Sequence, residues 1–318
     1  MRRREPDKIS TRDAFGNALL RMADKYEDLM YVAADTMKSV GGGPMHEKYP
    51  DRAINVGIAE QNMALMGAGM AASGAKVVVA SYAVFSSMRI AEQIRTFMCY
   101  PGLDVKIVAG LGGMSGGEEG VTHQGTEDVG VLRSIPNLSI VEVADAASAE
   151  VITEAVIEYK GPVYLRLGRG ACTKVFDDGY RFEMGKANVM EGGGRDAAIL
   201  CTGLATARAK EAWEMLKERG YSVQLIEMPC IKPIDREAVV RAAKETGSVV
   251  TVEDHNIIGG LGSAVSEVLS EAYPTRLKRI GVDDEFTESA DHEELMDKYN
   301  LSPEHIMNEV IRAINEKA

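Results

Sequence analysis

Apolar positions along the chain fall into two alternating patterns. Short runs rich in Val, Ile, Leu and Ala occur at 29–33, 53–56, 76–80, 105–109, 138–143 and 163–167. Between them lie longer stretches with apolar residues at helical spacing: 11–25, 60–72, 86–98, 126–134 and 147–159. Continuous apolar runs are what strands buried on both faces require, so this alternation predicts a parallel sheet covered by helices on each side. The rhythm breaks over 176–195, a polar stretch ending Glu191-Gly192-Gly193-Gly194-Arg195 that reads as an extended linker. It then resumes, with strands at 197–201, 222–227, 248–252 and 277–280 and helices at 205–219, 236–246, 262–271 and 303–316. The pattern predicts two doubly wound α/β domains, 1–175 and a smaller one at 196–318, joined by that linker.

Composition narrows the function classes. With 318 residues, 45% hydrophobic and 26% charged, the chain has the balance of a soluble globular protein with two ordinary cores. No apolar run approaches the ~20 residues that cross a bilayer. The opening Met1-Arg2-Arg3-Arg4-Glu5-Pro6 leads into polar residues, with no signal-peptide core. Neither a membrane nor export is expected, and the cytoplasm is the default compartment. A net charge of −12 without a Lys/Arg stripe argues against nucleic acid, and the three N-terminal arginines read as a solvated tail. Four scattered cysteines (Cys99, Cys172, Cys201, Cys230) and five histidines show no metal or disulfide spacing, so no metal site is assigned to this chain. Cys201, inside an apolar run, reads as core.

Two motif matches are discounted. Gly113-Met114-Ser115-Gly116-Gly117 fits G-x-S-x-G, but no apolar helix follows Ser115 to build a nucleophile elbow. Gly67-Ala68-Gly69-Met70-Ala71-Ala72 fits a dinucleotide fingerprint but lies inside an apolar helix, where small residues permit close packing instead.

The most informative run is Asn55-Val56-Gly57-Ile58-Ala59-Glu60-Gln61-Asn62-Met63, which sets one carboxylate at the start of an apolar helix. By position alone, Glu60 serves the helix dipole or a cap as readily as it serves chemistry. A carboxylate in apolar surroundings also suits proton transfer. The run resembles the pyrimidine-domain signature of transketolases and related thiamine diphosphate enzymes. The likeness continues in order through Asp51-Arg52-Ala53-Ile54, Ser81-Tyr82-Ala83-Val84-Phe85, Arg89 and Glu92-Gln93-Ile94-Arg95. It extends over Gly117-Glu118-Glu119-Gly120-Val121-Thr122-His123-Gln124, Glu127-Asp128 and Gly161-Pro162-Val163-Tyr164. Val252-Glu253-Asp254-His255 with Gly259-Gly260-Leu261-Gly262 is similar to the start of the family's C-terminal domain. The fold implied is a pyrimidine-binding domain followed by a transketolase C-terminal domain.

The resemblance implies that Glu60 hydrogen-bonds a pyrimidine nitrogen of thiamine diphosphate and favours its imino tautomer, making Glu60 both catalytic and cofactor-binding. It places Tyr82 and Phe85 around that ring, although both residues also suit the core beside a strand end. His123 matches a catalytic and substrate-binding histidine that contacts sugar oxygens, where a lone loop histidine is otherwise mere surface. Arg169 matches a sugar-phosphate clamp, with Arg166 as the alternative, and Glu119 stands at the substrate loop's usual aspartate. Arg89 and 92–95 are expected on a helix face or subunit contact. Two departures bear on substrate: Glu119 adds a methylene, and Leu111 stands where many transketolases carry a phosphate-contacting histidine.

Gly-Asp-Gly, which holds Mg²⁺ and diphosphate in this family, does not occur. The resemblance therefore implies that an N-terminal transketolase subunit carrying that motif supplies this half of the site. A two-fold assembly with two copies of each subunit is expected. The implied activity is transfer of a two-carbon ketol unit between sugars or sugar phosphates. The beta subunit of a 2-oxo-acid dehydrogenase and a non-catalytic homologue are the alternatives.

Overall fold

The computed structural model describes residues 9–317, so the Arg2–Arg4 run lies outside the described residues. Twelve strands follow in chain order: β1 (Leu29–Ala33), β2 (Ala53–Asn55), β3 (Lys76–Tyr82), β4 (Val105–Gly110), β5 (Ser139–Glu142), β6 (Val163–Arg166), β7 (Asn188–Glu191), β8 (Ala197–Cys201), β9 (Val223–Glu227), β10 (Cys230–Lys232), β11 (Ser248–Asn256) and β12 (Arg276–Val282). The α-helices are α1 (Thr11–Lys25), α2 (Gly43–Lys48), α3 (Glu60–Ala72), α4 (Ala91–Gln93), α5 (Asp128–Leu132), α6 (Ala146–Glu158), α7 (Ala205–Glu218), α8 (Arg236–Thr246), α9 (Leu261–Ala272), α10 (His292–Lys298) and α11 (Pro303–Asn315).

The strands form two sheets, ordered β10-β5-β6-β4-β3-β1-β2 and β12-β11-β8-β9-β7. Each is parallel apart from one antiparallel edge strand, β10 on β5 and β7 on β9. Both faces of each sheet are covered, as continuous apolar strands require. Phe15, Leu19 and Met22 of α1 pack with Ile152 and Val156 of α6 on one face of the first sheet. Met63 and Ala64 of α3, with Ile94 and Met98, fill the other. In the second sheet α7 and α11 cover one face, and α8 and α9 cover the other. Two doubly wound α/β units result.

Local chemistry accounts for the helix ends. Ser10 caps α1, Asp145 and Ser148 form a capping box on α6, Asp235 caps α8, and Ser302 precedes Pro303 on α11. Helix α3 runs through Gly67, where a Cβ would overlap Val79 of β3. The glycine serves close helix–sheet packing, as its place inside an apolar helix predicts. Other expectations need correction. Residues 176–195 are not wholly extended linker, because 188–191 form β7. The helix expected over 86–98 is two π-helical turns, Phe85–Arg89 and Ile94–Cys99, flanking α4. β10 and α10 were not anticipated, and β10 carries the chain back into the first sheet after the second has begun.

Candidate functional site

Open parallel sheets bind ligands beyond the carboxyl ends of their strands, and the predicted site residues gather there. Tyr82 ends β3, Glu119 and His123 lie on the loop after β4, Arg169 follows β6, and Glu60 opens α3 after β2. Glu60 is 3% exposed. No side chain caps α3, so its carboxylate is the acidic group at that positive helix end. Arg89 Nη1 donates to both Glu60 oxygens at 3.1 Å, and the guanidinium lies 4.7 Å from the Phe85 ring centre. Arg89 thus stands against the Glu60 carboxylate, a contact that its expected place on a helix face or subunit contact did not include. Sequence could not show this, because the pair is separated by 29 positions and joined by the π turn.

Three rings meet beside this pair. Phe85 and His123 are 5.4 Å apart and edge-on, Tyr82 is 5.7 Å from His123, and Tyr82 and Phe85 are 6.1 Å apart. All three are only partly buried, so core filling does not use up their surfaces. Tyr82 donates its hydroxyl to Ser39 at 3.0 Å, a partner the sequence did not disclose. His123 Nδ1 shares a 3.0 Å hydrogen bond with Thr122.

Glu119 and Arg169 form an ion pair with each other, and the Arg169 amide donates to Ser115 Oγ at 3.1 Å. Ser115 in turn donates to the Gly112 carbonyl at 2.6 Å, so its hydroxyl is built into the loop. Leu111 is buried beneath the loop, with its backbone in the left-handed region at φ 56°. Arg166 is not available as an alternative clamp: its side chain is 2% exposed and paired with Asp128 and Glu142. Further donation to the Gly125 and Asp254 carbonyls at 2.7 and 3.0 Å makes it the hub of a buried network. Burial raises the Glu142 carboxyl despite Arg166.

All four cysteines are free. Burial pushes the Cys99 and Cys172 thiols up to about 11 and Cys230 to about 12, and raises Cys201 as well, so none is poised as a nucleophile. Among the described residues, no three His, Cys, Asp or Glu side chains converge to hold a metal, and no helix is long and apolar enough to cross a membrane. A cavity of about 340 Å³ lined by Ile9, Asp145, Glu150 and Tyr180 shares no residue with the ring cluster. The arrangement offers an acceptor carboxylate beside half-exposed rings, which fits the pyrimidine end of a flat heterocyclic cofactor.

Residues 7–174 match the transketolase pyrimidine binding domain and 185–306 the transketolase C-terminal domain. The chain belongs to the transketolase family. It is 38% identical over 309 residues to a putative transketolase C-terminal section of Methanocaldococcus jannaschii, covering 96% of each chain. It is 36% identical to the 6-deoxy-6-sulfo-D-fructose transketolase subunit SqwH of Clostridium sp. strain MSTE9, over 96% of this chain and 93% of that one. A solved structure described as a split gene transketolase, inactive beta4 tetramer, superposes with a TM-score of 0.90 at 40% identity, covering 98% of this chain and all of that one. In this transketolase-family chain, the ordered likeness read from Glu60 onward is therefore a family relationship, and both domain types expected from it are present.

Proposed function

We propose that this chain is the small subunit of a two-chain, thiamine diphosphate-dependent transketolase transferring a two-carbon ketol unit between sugars or sugar phosphates. The observation that carries the reading is the near-buried Glu60 carboxylate at the start of α3, facing an arginine and a cluster of half-exposed rings. When bound, the cofactor supplies the carbanion stabilisation that ketol transfer needs. Glu60 binds the pyrimidine end and holds a proton at its ring nitrogen, with Arg89 giving up its present pairing. Phe85 and Tyr82 flank the ring and exclude water. His123 binds and orients sugar oxygens at the mouth, and Arg169 with Glu119 meets the distal end of the sugar. Residues 1–175 form the pyrimidine-binding domain, 176–195 the connection and 196–318 the C-terminal domain.

No Gly-Asp-Gly is present in this sequence. The Mg²⁺ and diphosphate ligands accordingly belong to a separate N-terminal subunit, and the active form holds two copies of each chain around a two-fold axis in the cytoplasm. Relatives that are themselves about this length support the division, as does the solved relative described as inactive in its beta4 tetramer. With Leu111 buried where a phosphate-contacting histidine is usual, substrates without a phosphate at that position are favoured as strongly as phosphorylated ones.

The test is co-expression with a subunit bearing Gly-Asp-Gly, followed by assay with thiamine diphosphate and Mg²⁺. Ketol transfer by the complex and by neither chain alone is the expected result. Inactivity across phosphorylated and unphosphorylated ketose donors would leave the non-catalytic reading. Turnover by this chain alone would overturn the division of the site.

A further inference from the structure

The loop between β4 and α5 carries Glu119 and His123, and its backbone is unusual. Leu111, Gly113 and Gly120 have φ of 56°, 63° and 77°, and Gly117 is kinked at φ 5°, ψ −85°. Such a path persists only where its surroundings hold it. The first domain holds it through the Gly112 N–H to the Leu167 carbonyl at 2.9 Å, the Arg169 amide to Ser115 Oγ at 3.1 Å, Arg166 to the Gly125 carbonyl at 2.7 Å and the Glu119–Arg169 ion pair. Inside the loop, the Gly113 N–H donates to the Gly125 carbonyl at 2.8 Å.

The second domain grips the other side of the loop. Asp254 on β11 accepts from the Met114 N–H with both oxygens, at 3.0 and 3.1 Å. His292, at the start of α10, holds Asp254 Oδ2 through Nε2 at 3.2 Å. Gln124 donates to the Glu288 carbonyl at 3.0 Å and accepts from the Thr287 hydroxyl. A Cβ on Gly117 would lie 2.6 Å from the Ala290 carbonyl, and one on Gly120 would overlap Ser289 Oγ. One segment, 287–292, thus lines the back of the loop while His123 faces the ring cluster in front.

We propose that the C-terminal domain is the clamp that sets the shape of the substrate loop, and that Asp254 and His292 are positioning residues for the sugar, acting through Met114 and the loop backbone. This rests on the reading of His123 as a sugar contact. The charges around His292 are Asp254 on β11, Asp291 and Glu293 beside it, and Arg208 of α7, itself paired with Glu293 at 2.8 Å and Asp297 at 3.2 Å. Burial opposes the imidazolium, but the hydrogen bond and charge of Asp254, with Glu293 and Asp291, outweigh it and raise His292 above its ordinary 6.5. The charged latch is therefore complete below about 6.5 and is lost as pH rises through the raised value.

Hydrogen exchange of the full chain tests the clamp without requiring turnover. His292→Ala should speed amide exchange across 113–124 at pH 6 by about tenfold or more, the scale of a hydrogen bond to a charged group. Exchange in α3 should not change. That gap should close as pH rises, whereas His292→Gln, which keeps a donor but no titrating charge, should give exchange protection independent of the latch's ionisation. In the reconstituted complex, His292→Ala should raise KM for the ketose donor several-fold and leave thiamine diphosphate binding unaltered. Equal exchange in the wild type and a folded His292→Ala would overturn the clamp, as would a cofactor affinity that falls along with the donor's. Should His292→Ala fail to fold, Thr287→Val removes only a hydroxyl donor and reads the same segment. Absence of ketol transfer in the wild-type complex would sink the transketolase reading, while the exchange result still decides the clamp.

Discussion

Arg89 and Arg166 both meet a glutamate near the carboxyl ends of the first sheet, and they stand at opposite extremes of exposure. Arg89 is 47% exposed and uses one nitrogen on Glu60, leaving the rest of its guanidinium to Phe85 and solvent. Arg166 is 2% exposed and spends its donors on Asp128, Glu142 and two carbonyls. Tyr164 closes the network by donating to Asp128 at 2.6 Å. The first pair is open on one side and exchangeable. The second is saturated, with nothing left to offer a ligand. Identical functional groups become a site or a strut according to how much hydrogen-bonding capacity the fold leaves unfilled.

Substitutions on each side sharpen the contrast. Glu60→Gln keeps shape but removes the proton-holding carboxylate. Turnover of the reconstituted enzyme should fall about 100-fold or more with the melting temperature nearly unchanged, and a variant retaining most of its activity would erase the distinction. Arg166→Met should do the reverse, leaving Asp128 and Glu142 buried without their cation at a cost of about 3–5 kcal/mol in denaturant unfolding.

Glu253 and His255 flank the hub and provide a subtler probe. Burial pushes the Glu253 carboxyl up to about 7 and holds the His255 imidazole down to about 4. The folded protein binds the Glu253 proton more tightly than the unfolded chain, so that contribution grows as pH falls from about 7. His255 works oppositely, losing stability as pH falls from about 6.5 to about 4. The two offset in the wild type. Glu253→Gln removes the compensation, so stability measured by urea titration should drop by ~3 kcal/mol more across that window than in the wild type. The smallest effect belongs to the open pair: Arg89→Gln should change stability by less than about 1 kcal/mol, as a thermal melt would show.

The regular parts of this fold were legible because burial on both faces writes itself as unbroken apolar runs. Helix α3 was read with its first residue at Glu60, and α8 with both ends, where Asp235 caps and Gly247 turns left-handed at φ 67°. The misses have physical causes. β10 is three residues ending against Pro233, too short for periodicity to register and dependent on β5 for its pairing. α10 buries only Leu295 and Met296 in an acidic stretch. Glu60, the rings, Arg89 and Asp254 all fell in segments of ordered resemblance, but their contacts did not show there. Arg89 meets Glu60 across 29 positions of the first domain, and Asp254 reaches the Met114 N–H and His292 from the second. No local pattern announces a contact made between two domains.

The return of Cys230–Lys232 to the first sheet bears on whether the molecule is divisible. Its two halves look modular in a linear diagram, yet the first is not finished until the chain has already built three strands of the second. A truncated chain ending near the linker would present β5 as a bare edge, open to pairing with a neighbouring molecule. Recombination between family members would therefore have to exchange the segment through Lys232 together with the pyrimidine domain, or supply an edge strand that fits.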